Sequence, residues 1–192
     1  MHSNAFSQEA RFGAAFVAGL NMSQIQGDNL AGYHKAGLTA GIRGITYLND
    51  LWNLNIELLY TQKGSRNGLF EDNFVPRQGM DFDYIEVPVT IEIKDWVVEE
   101  DGGSYAKVSA HAGFSYGRLI SSGLIEYDEI LLDAIDDNDL SFLLGLRFRW
   151  NTHFAVSGRY SRSIIPIAQP SEMANTNSLI PYSMAIRLEY IL

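Results

Sequence analysis

Arginine and glutamate residues recur inside segments whose other residues are largely apolar, and these charges are the first candidates for chemistry. The set comprises Arg43, Glu57, Glu86, Glu92, Arg147, Arg159, Arg187 and Glu189. Successive side chains of a β-strand point to opposite faces, so charges spaced this way would gather on one face. Arg43 and Glu57 lie at nearly equal distances from a short turn, which predicts that they face each other across a hairpin. Such a set could form a salt-bridged plug, or it could line a selective pore or a proton path.

The segment 119–139 is acidic. Its acids are Glu126, Asp128, Glu129, Asp133, Asp136, Asp137 and Asp139. Closely spaced carboxylates can hold Ca²⁺, but the segment lacks the glycine and the distal glutamate of an EF-hand loop. A solvated loop is the alternative. Apolar residues alternate with the acids, so the segment could also form a short amphipathic helix or a protein-binding surface.

Two groups of residues could in principle form a catalytic site. Ser23, Asp28 and His34 are close in sequence, and Ser109 precedes His111 by two positions. Neither group matches a motif for an activated nucleophile, and signatures for nucleotide or phosphate binding are absent. The chain has no Cys, which excludes thiolate sites, and its net charge of −9 argues against nucleic acid. We expect no enzyme, no cofactor and no small-molecule substrate.

Period-two alternation dominates the chain and predicts strands. The runs are 11–21, 35–48, 53–63, 81–94, 105–118, 140–151, 154–164 and 179–192. Each run has one apolar face and one face of charges, hydroxyls and glycines. No apolar run approaches the ~20 residues of a membrane helix, which leaves a closed β-barrel as the way to cross a membrane.

Volume decides which face points inward. An eight-stranded barrel has an interior only just wide enough for side chains, and the apolar faces offer about forty of them, many large. The polar faces, rich in Gly and Ser, fit such an interior. The apolar faces must then meet lipid. The sequence therefore predicts an eight-stranded antiparallel up-and-down transmembrane β-barrel over residues 10–192, in contact with outer-membrane lipid.

Connection lengths and aromatic residues agree with this architecture. The links after the second, fourth and sixth runs are short, whereas 22–34, 64–80, 119–139 and 165–178 are long, which predicts periplasmic turns and extracellular loops. Indole rings favour the membrane–water boundary, and Trp52, Trp96 and Trp150 all lie at the short turns. The opposite girdle is expected to contain Tyr60, Tyr84, Tyr116, Tyr160 and Tyr182.

The N-terminal residues 1–9 suggest a secreted protein. Ala5 and Ser7 precede Gln8 with the small-residue spacing of a signal-peptide cleavage site, so the segment is interpreted as a signal remnant, with an ordinary N-terminal tail as the alternative. Export combined with a barrel predicts the outer membrane of a Gram-negative bacterium.

Several segments resemble those of one family. They are GLNMSQ at 19–24, GYHKAGL at 32–38, ELLYTQKGS at 57–65, DYIEVPV at 83–89 and IRLEY at 186–190. Together they resemble the PorT-like family of outer-membrane β-barrel proteins, typical of Bacteroidetes. The resemblance implies a structural or interaction role in an envelope assembly, with other envelope or secretion proteins as partners and a link to type IX protein secretion. A small channel or uptake protein is the alternative.

Overall fold

The computed structural model is a single closed antiparallel barrel of eight strands. It describes residues 11–26, 35–66, 79–100, 103–125, 136–167 and 179–192. The strands are β1 (Phe12–Gln26), β2 (Lys35–Tyr47), β3 (Trp52–Arg66), β4 (Gly79–Glu100), β5 (Gly103–Ile125), β6 (Asn138–Arg149), β7 (Phe154–Ser163) and β8 (Ile180–Ile191). Each strand pairs with the next in sequence, and β1 pairs with β8 to close the barrel. The predicted fold class is therefore confirmed. No helix in the described ranges is long and apolar enough to cross a membrane.

The register matches the sequence prediction at the first short turn. Arg43 on β2 lies directly opposite Glu57 on β3. The register shifts between Asp83 and Tyr84 in the pairing of β4 with β5, which marks a β-bulge or irregularity.

The two faces of each strand differ sharply in exposure. On β6, Leu143 is 3% exposed and its neighbour Leu144 is 52% exposed. On β8, Arg187 is 1% exposed and Ile186 is 69% exposed. The polar faces thus point into the lumen and the apolar faces point outward. A continuous outer surface of this kind is far larger than the apolar patches of soluble monomers and suits a lipid environment.

The β4–β5 hairpin is longer than the sequence indicated. The prediction placed a link at 95–104, but pairing continues from Asp95↔Val108 to Glu100↔Gly103. Trp96 has a φ of 53°, an uncommon value for a residue with a side chain, and it interrupts the alternation that identified the strand. The hairpin therefore extends as a two-stranded ribbon beyond the last pairs with β3 and β6.

Apolar side chains are buried at both ends of the lumen, which the sequence analysis did not anticipate. At the turn end, Ala15, Ile45, Ala155 and Ile191 pack into one cluster with Tyr47 against it. At the loop end, the buried apolar residues are Ile25, Met80, Phe82, Tyr84, Ile167 and Leu179.

The assignment of Tyr84 to the outer girdle is wrong. Its side chain is fully buried, with its ring centroid 6.5 Å from that of Phe82. The physical reason is strand parity. Since Ile85 and Val87 lie on the outward face of β4, Tyr84 must point inward.

Candidate functional site in the charged lumen

Glu57 lies at the centre of the lumen charges. Its Oε1 accepts from Arg43 Nε at 2.7 Å. Arg159 donates to both of its carboxylate oxygens, at 2.8 Å and 2.9 Å. Arg187 Nη1 donates to Oε2 at 3.1 Å. One buried carboxylate from β3 therefore holds guanidinium groups from β2, β7 and β8.

Glu189 is the second shared carboxylate. Arg43 donates to it from both terminal nitrogens at 2.7 Å each, which is the bidentate geometry of a guanidinium and a carboxylate. Arg147 Nε donates to it at 2.7 Å, and Arg187 Nη2 does so at 3.3 Å. Ser157 adds a hydroxyl donor. Arg43 thus joins β3 and β8 across the lumen.

Glu92 completes the set on the opposite wall. It forms an ion pair with Arg147. It also accepts hydrogen bonds from the Ser109 hydroxyl and from Asn55 Nδ2, the latter at 2.9 Å. Because Arg147 also binds Glu189, this arginine connects β4, β6 and β8 through the lumen.

We call these seven residues the central layer. Its members are Arg43, Glu57, Glu92, Arg147, Arg159, Arg187 and Glu189. The four arginines and three glutamates leave a formal excess of one positive charge (4 − 3 = 1). Taking charges out of water is costly unless geometry and hydrogen bonds compensate, and here each carboxylate has several donors. The layer cross-links strands that are not neighbours in the sheet.

Glu86 lies apart from the central layer, and its ion-pair partner is a lysine rather than an arginine. Lys63 Nζ binds it at 2.6 Å and binds Asp139 at 2.9 Å. Ser141 Oγ donates to Asp139 at 3.1 Å. We call Lys63, Glu86 and Asp139 the loop-end cluster. Sequence reasoning assigned Asp139 to the acidic loop, although its parity with Ser141 on β6 already indicated the lumen.

In the described part of the acidic segment, the carboxylates bind separate partners and do not converge on one site. Asp137 pairs with Arg118 at 2.8 Å, Asp136 accepts from the backbone N–H of Asn138, and Asp139 binds Lys63. Among the described residues, no group of three or more His, Asp or Glu could hold a metal ion. The remaining acids lie outside the described residues, namely Glu126, Asp128, Glu129 and Asp133. So do Asp28, His34 and the segment 1–9.

A small cavity separates the central layer from the loop-end cluster. Its volume is about 20 Å³, and Lys63, Glu86, Arg159 and Arg187 contribute to its lining. Two buried polar atoms beside it, Asn21 Oδ1 and Arg159 Nε, have no partner among the described residues. A cavity of this size has room for about one water molecule.

Ser109 and His111 do not form a nucleophile and base. Ser109 donates its hydroxyl to Glu92, and neither ring nitrogen of His111 has a hydrogen-bond partner in the described part of the chain. The imidazole lies over Gly145, where an added Cβ would come within 2.4 Å of Nε2. Gly145 therefore provides the space that the imidazole occupies.

The three predicted interface tryptophans are exposed at the turn end. Trp52 begins β3, Trp96 lies in the β4–β5 ribbon and Trp150 follows β6. The Trp150 carbonyl accepts a hydrogen bond from the Tyr105 hydroxyl at 3.0 Å. Outward aromatic residues at the opposite ends of the strands are Tyr60, Tyr116, Tyr160 and Tyr182.

Comparison with known proteins gives one family and several similar folds. A model of the outer membrane protein β-barrel domain matches residues 6–169. The attachment invasion locus protein Ail of Yersinia pestis is 15% identical, covering 94% of this chain and 99% of its own, with a TM-score of 0.49. Neisserial surface protein A is 10% identical, covering 94% and 97%, with a TM-score of 0.45. A comparison with curated proteins finds no match.

Proposed function

We propose, since this chain belongs to the outer membrane β-barrel domain family, that it is a non-enzymatic barrel with a lumen closed by its own side chains. The protein lies in the outer membrane of a Gram-negative bacterium. Its proposed role is structural or interactive. The barrel would anchor the long connections outside the cell, where they contact other components of the envelope.

The central layer is the observation that carries this proposal. Guanidinium groups from β2, β6, β7 and β8 bind carboxylates inside the lumen at 2.7–3.3 Å, and Arg159 of β7 reaches Glu57 on β3, four strands away in the barrel. Opening a water column would break several of these pairs together and leave charges unpaired in a narrow interior. Apolar residues buried at the turn end add a second barrier on the axis. Steady ion conduction is therefore not expected.

Single-channel recording in planar bilayers tests the closed lumen. The purified protein should give no reproducible unit conductance, and a general porin recorded in the same bilayer is the positive control. Reproducible unit conductance from the unmodified protein would instead favour the small channel or uptake function.

Cysteine labelling tests the proposed orientation. Ser122 is exposed on β5 near the long connection, and Ser104 is exposed on the same strand near the short turn. With an impermeant maleimide on intact cells, Ser122→Cys should react, whereas Ser104→Cys should react only after lysis. The reverse pattern would mean that the long loops face the periplasm.

Partners are the finer part of the proposal. The PorT-like segments, such as those at 57–65 and 83–89, support a role in an envelope assembly linked to type IX secretion. Affinity purification in mild detergent, followed by mass spectrometry, should recover envelope or secretion proteins. An unrelated eight-stranded barrel with the same tag is the control. Recovery of the same proteins with both baits would count against a specific assembly.

A further inference from the structure

Two outward-facing arginines at the loop end have different surroundings. Arg118 on β5 pairs with the Asp137 carboxylate at 2.8 Å. Arg162 on β7 donates instead to the neutral Gln26 side-chain oxygen at 3.1 Å. Within the described ranges, Arg162 has no carboxylate partner. Its positive charge, on the surface that faces lipid, is therefore not paired with any described carboxylate.

Arg162 lies near the loop end of β7, beside two outward-facing tyrosines. Tyr182 on β8 is directly opposite it, and Tyr160 is two residues away on the same face of β7. Tyrosine rings collect at the membrane–water interface, which is also where lipid phosphates lie. A guanidinium binds a phosphate with two parallel hydrogen bonds, so this position suits an anionic lipid headgroup.

The same face of β7 has a depression on its apolar side. Gly158 points outward, and a Cβ added there would meet nothing within 4 Å. Its direct neighbours are Leu146 on β6 and Ile186 on β8, which are 64% and 69% exposed. Two projecting side chains thus form the walls of a groove with glycine as its floor. Leu144 on β6 and Met184 on β8, each 52% exposed, lie opposite Tyr160 and continue this apolar surface toward Arg162.

Groove and charge are aligned along one strand. Gly158 and Arg162 are four residues apart on β7, which corresponds to about 13 Å at the usual rise of a strand. A lipid whose phosphate contacts Arg162 would therefore extend its acyl chain over Tyr160 and into the groove at Gly158.

We propose that β7 carries a binding site for a phosphorylated lipid of the outer leaflet. Arg162 binds the phosphate, and the groove between Leu146 and Ile186 receives an acyl chain. The site rests on the proposed function, because it requires the loop end of the barrel to face the outer leaflet.

Native mass spectrometry tests the site on protein purified from its own membranes in mild detergent. Arg162→Gln should retain about tenfold less phosphorylated lipid, the loss expected when a charge-assisted hydrogen bond is removed. Gly158→Leu fills the groove with an apolar side chain and should reduce retention similarly. Arg118→Gln is the matched control, since its guanidinium is already paired with Asp137, and it should retain lipid like the unmodified protein.

Three additions identify the ligand. The delipidated barrel should rebind a phosphorylated lipid but not its dephosphorylated form with the same chains, and inorganic phosphate should not displace it. If Arg162→Gln and Gly158→Leu retained as much phosphorylated lipid as Arg118→Gln, the site would be overturned. Equal rebinding of both lipid forms, or displacement by inorganic phosphate, would also overturn it. Heat-modifiable gel mobility shows that each variant is folded. These results are separable from the proposed topology, because labelling of Ser122→Cys and Ser104→Cys reports orientation alone.

Discussion

The central layer and the loop-end cluster place charges in the same lumen in opposite ways. In the central layer, carboxylates are shared among cations, and Glu57 alone serves three arginines. In the loop-end cluster, the single cation Lys63 serves both Glu86 and Asp139. The formal excess is one positive charge in the first (4 − 3) and one negative charge in the second (1 − 2), so the two regions balance each other.

The difference follows from the cations. A guanidinium is a planar fork that can bind one carboxylate through two nitrogens and a second carboxylate through the third, as Arg43 does with Glu189 and Glu57. An ammonium is a compact point charge. Arginines can therefore join several strands across the middle of the barrel, whereas Lys63 closes a smaller cluster near the mouth. The comparison predicts that removing a charge from the centre has the larger cost.

Glu57→Gln should cause the largest loss of stability. Glutamine keeps the size of the side chain, but Arg43, Arg159 and Arg187 all lose a carboxylate partner. Removing one side of a buried ion pair costs about 3–5 kcal/mol, because the remaining charge is left buried. Urea titration of the folded barrel in lipid vesicles, followed by heat-modifiable gel mobility, measures the loss.

Glu99→Gln is the control for this change, since Glu99 is exposed on the β4–β5 ribbon. Its free energy of unfolding should differ little from that of the unmodified protein. If the two variants were equally stable, the central layer would not be a stabilising network.

Gly145→Ala tests the space that the centre requires. The added methyl group would come within 2.4 Å of His111 Nε2 and 2.6 Å of the Gly158 carbonyl oxygen. Overpacking of this kind typically costs about 1–3 kcal/mol. Gly158→Ala is the matched control, because its methyl group would point into open space. The same urea titration should separate the two, and equal stabilities would mean that the lumen adapts freely around His111.

The faces and the closest charge pair could be predicted from sequence because they depend on local rules. Alternation with a period of two assigned Leu144 outward and Arg147 inward, and the short turn placed Arg43 opposite Glu57. Parity applied consistently would also have placed Tyr84 inside.

The contacts across the lumen could not be predicted in this way. Which arginine contacts Glu189 depends on the stagger of all eight strands and on the length of each side chain. The sequence of a single strand does not determine these contacts. Asp139 was assigned to a candidate calcium loop because its acidic neighbours dominated the local pattern. Its partner Lys63 is 76 residues away in sequence.

Glu86→Gln should cost less than Glu57→Gln. Lys63 would lose one carboxylate but keep Asp139 at 2.9 Å, so its charge would not be left alone. Hydrogen bonds to charged groups contribute about 1.5–3 kcal/mol, so the free energy of unfolding should decrease by an amount in the lower part of that range. Comparing this variant with Glu57→Gln gives the ratio of the losses in unfolding free energy for the loop-end cluster and the central layer. A loss as large as that of Glu57→Gln would show that number of partners does not determine the cost.

Lys35→Met should have the smallest effect, because it tests an ion pair at the rim of the lumen. Lys35 Nζ lies 2.6 Å from Asp81 Oδ1, and the side chain of Asp81 is 35% exposed, so water can solvate that carboxylate when the lysine is gone. Methionine keeps most of the apolar stem of lysine. Partly exposed pairs contribute about 0–1 kcal/mol and are weakened by salt. The loss of unfolding free energy in Lys35→Met should therefore be small in dilute buffer and smaller still at high ionic strength. The loss in Glu57→Gln should persist at high ionic strength, because the central layer is shielded from solvent ions. A salt-independent loss of several kcal/mol in Lys35→Met would mean that the rim is as dry as the centre.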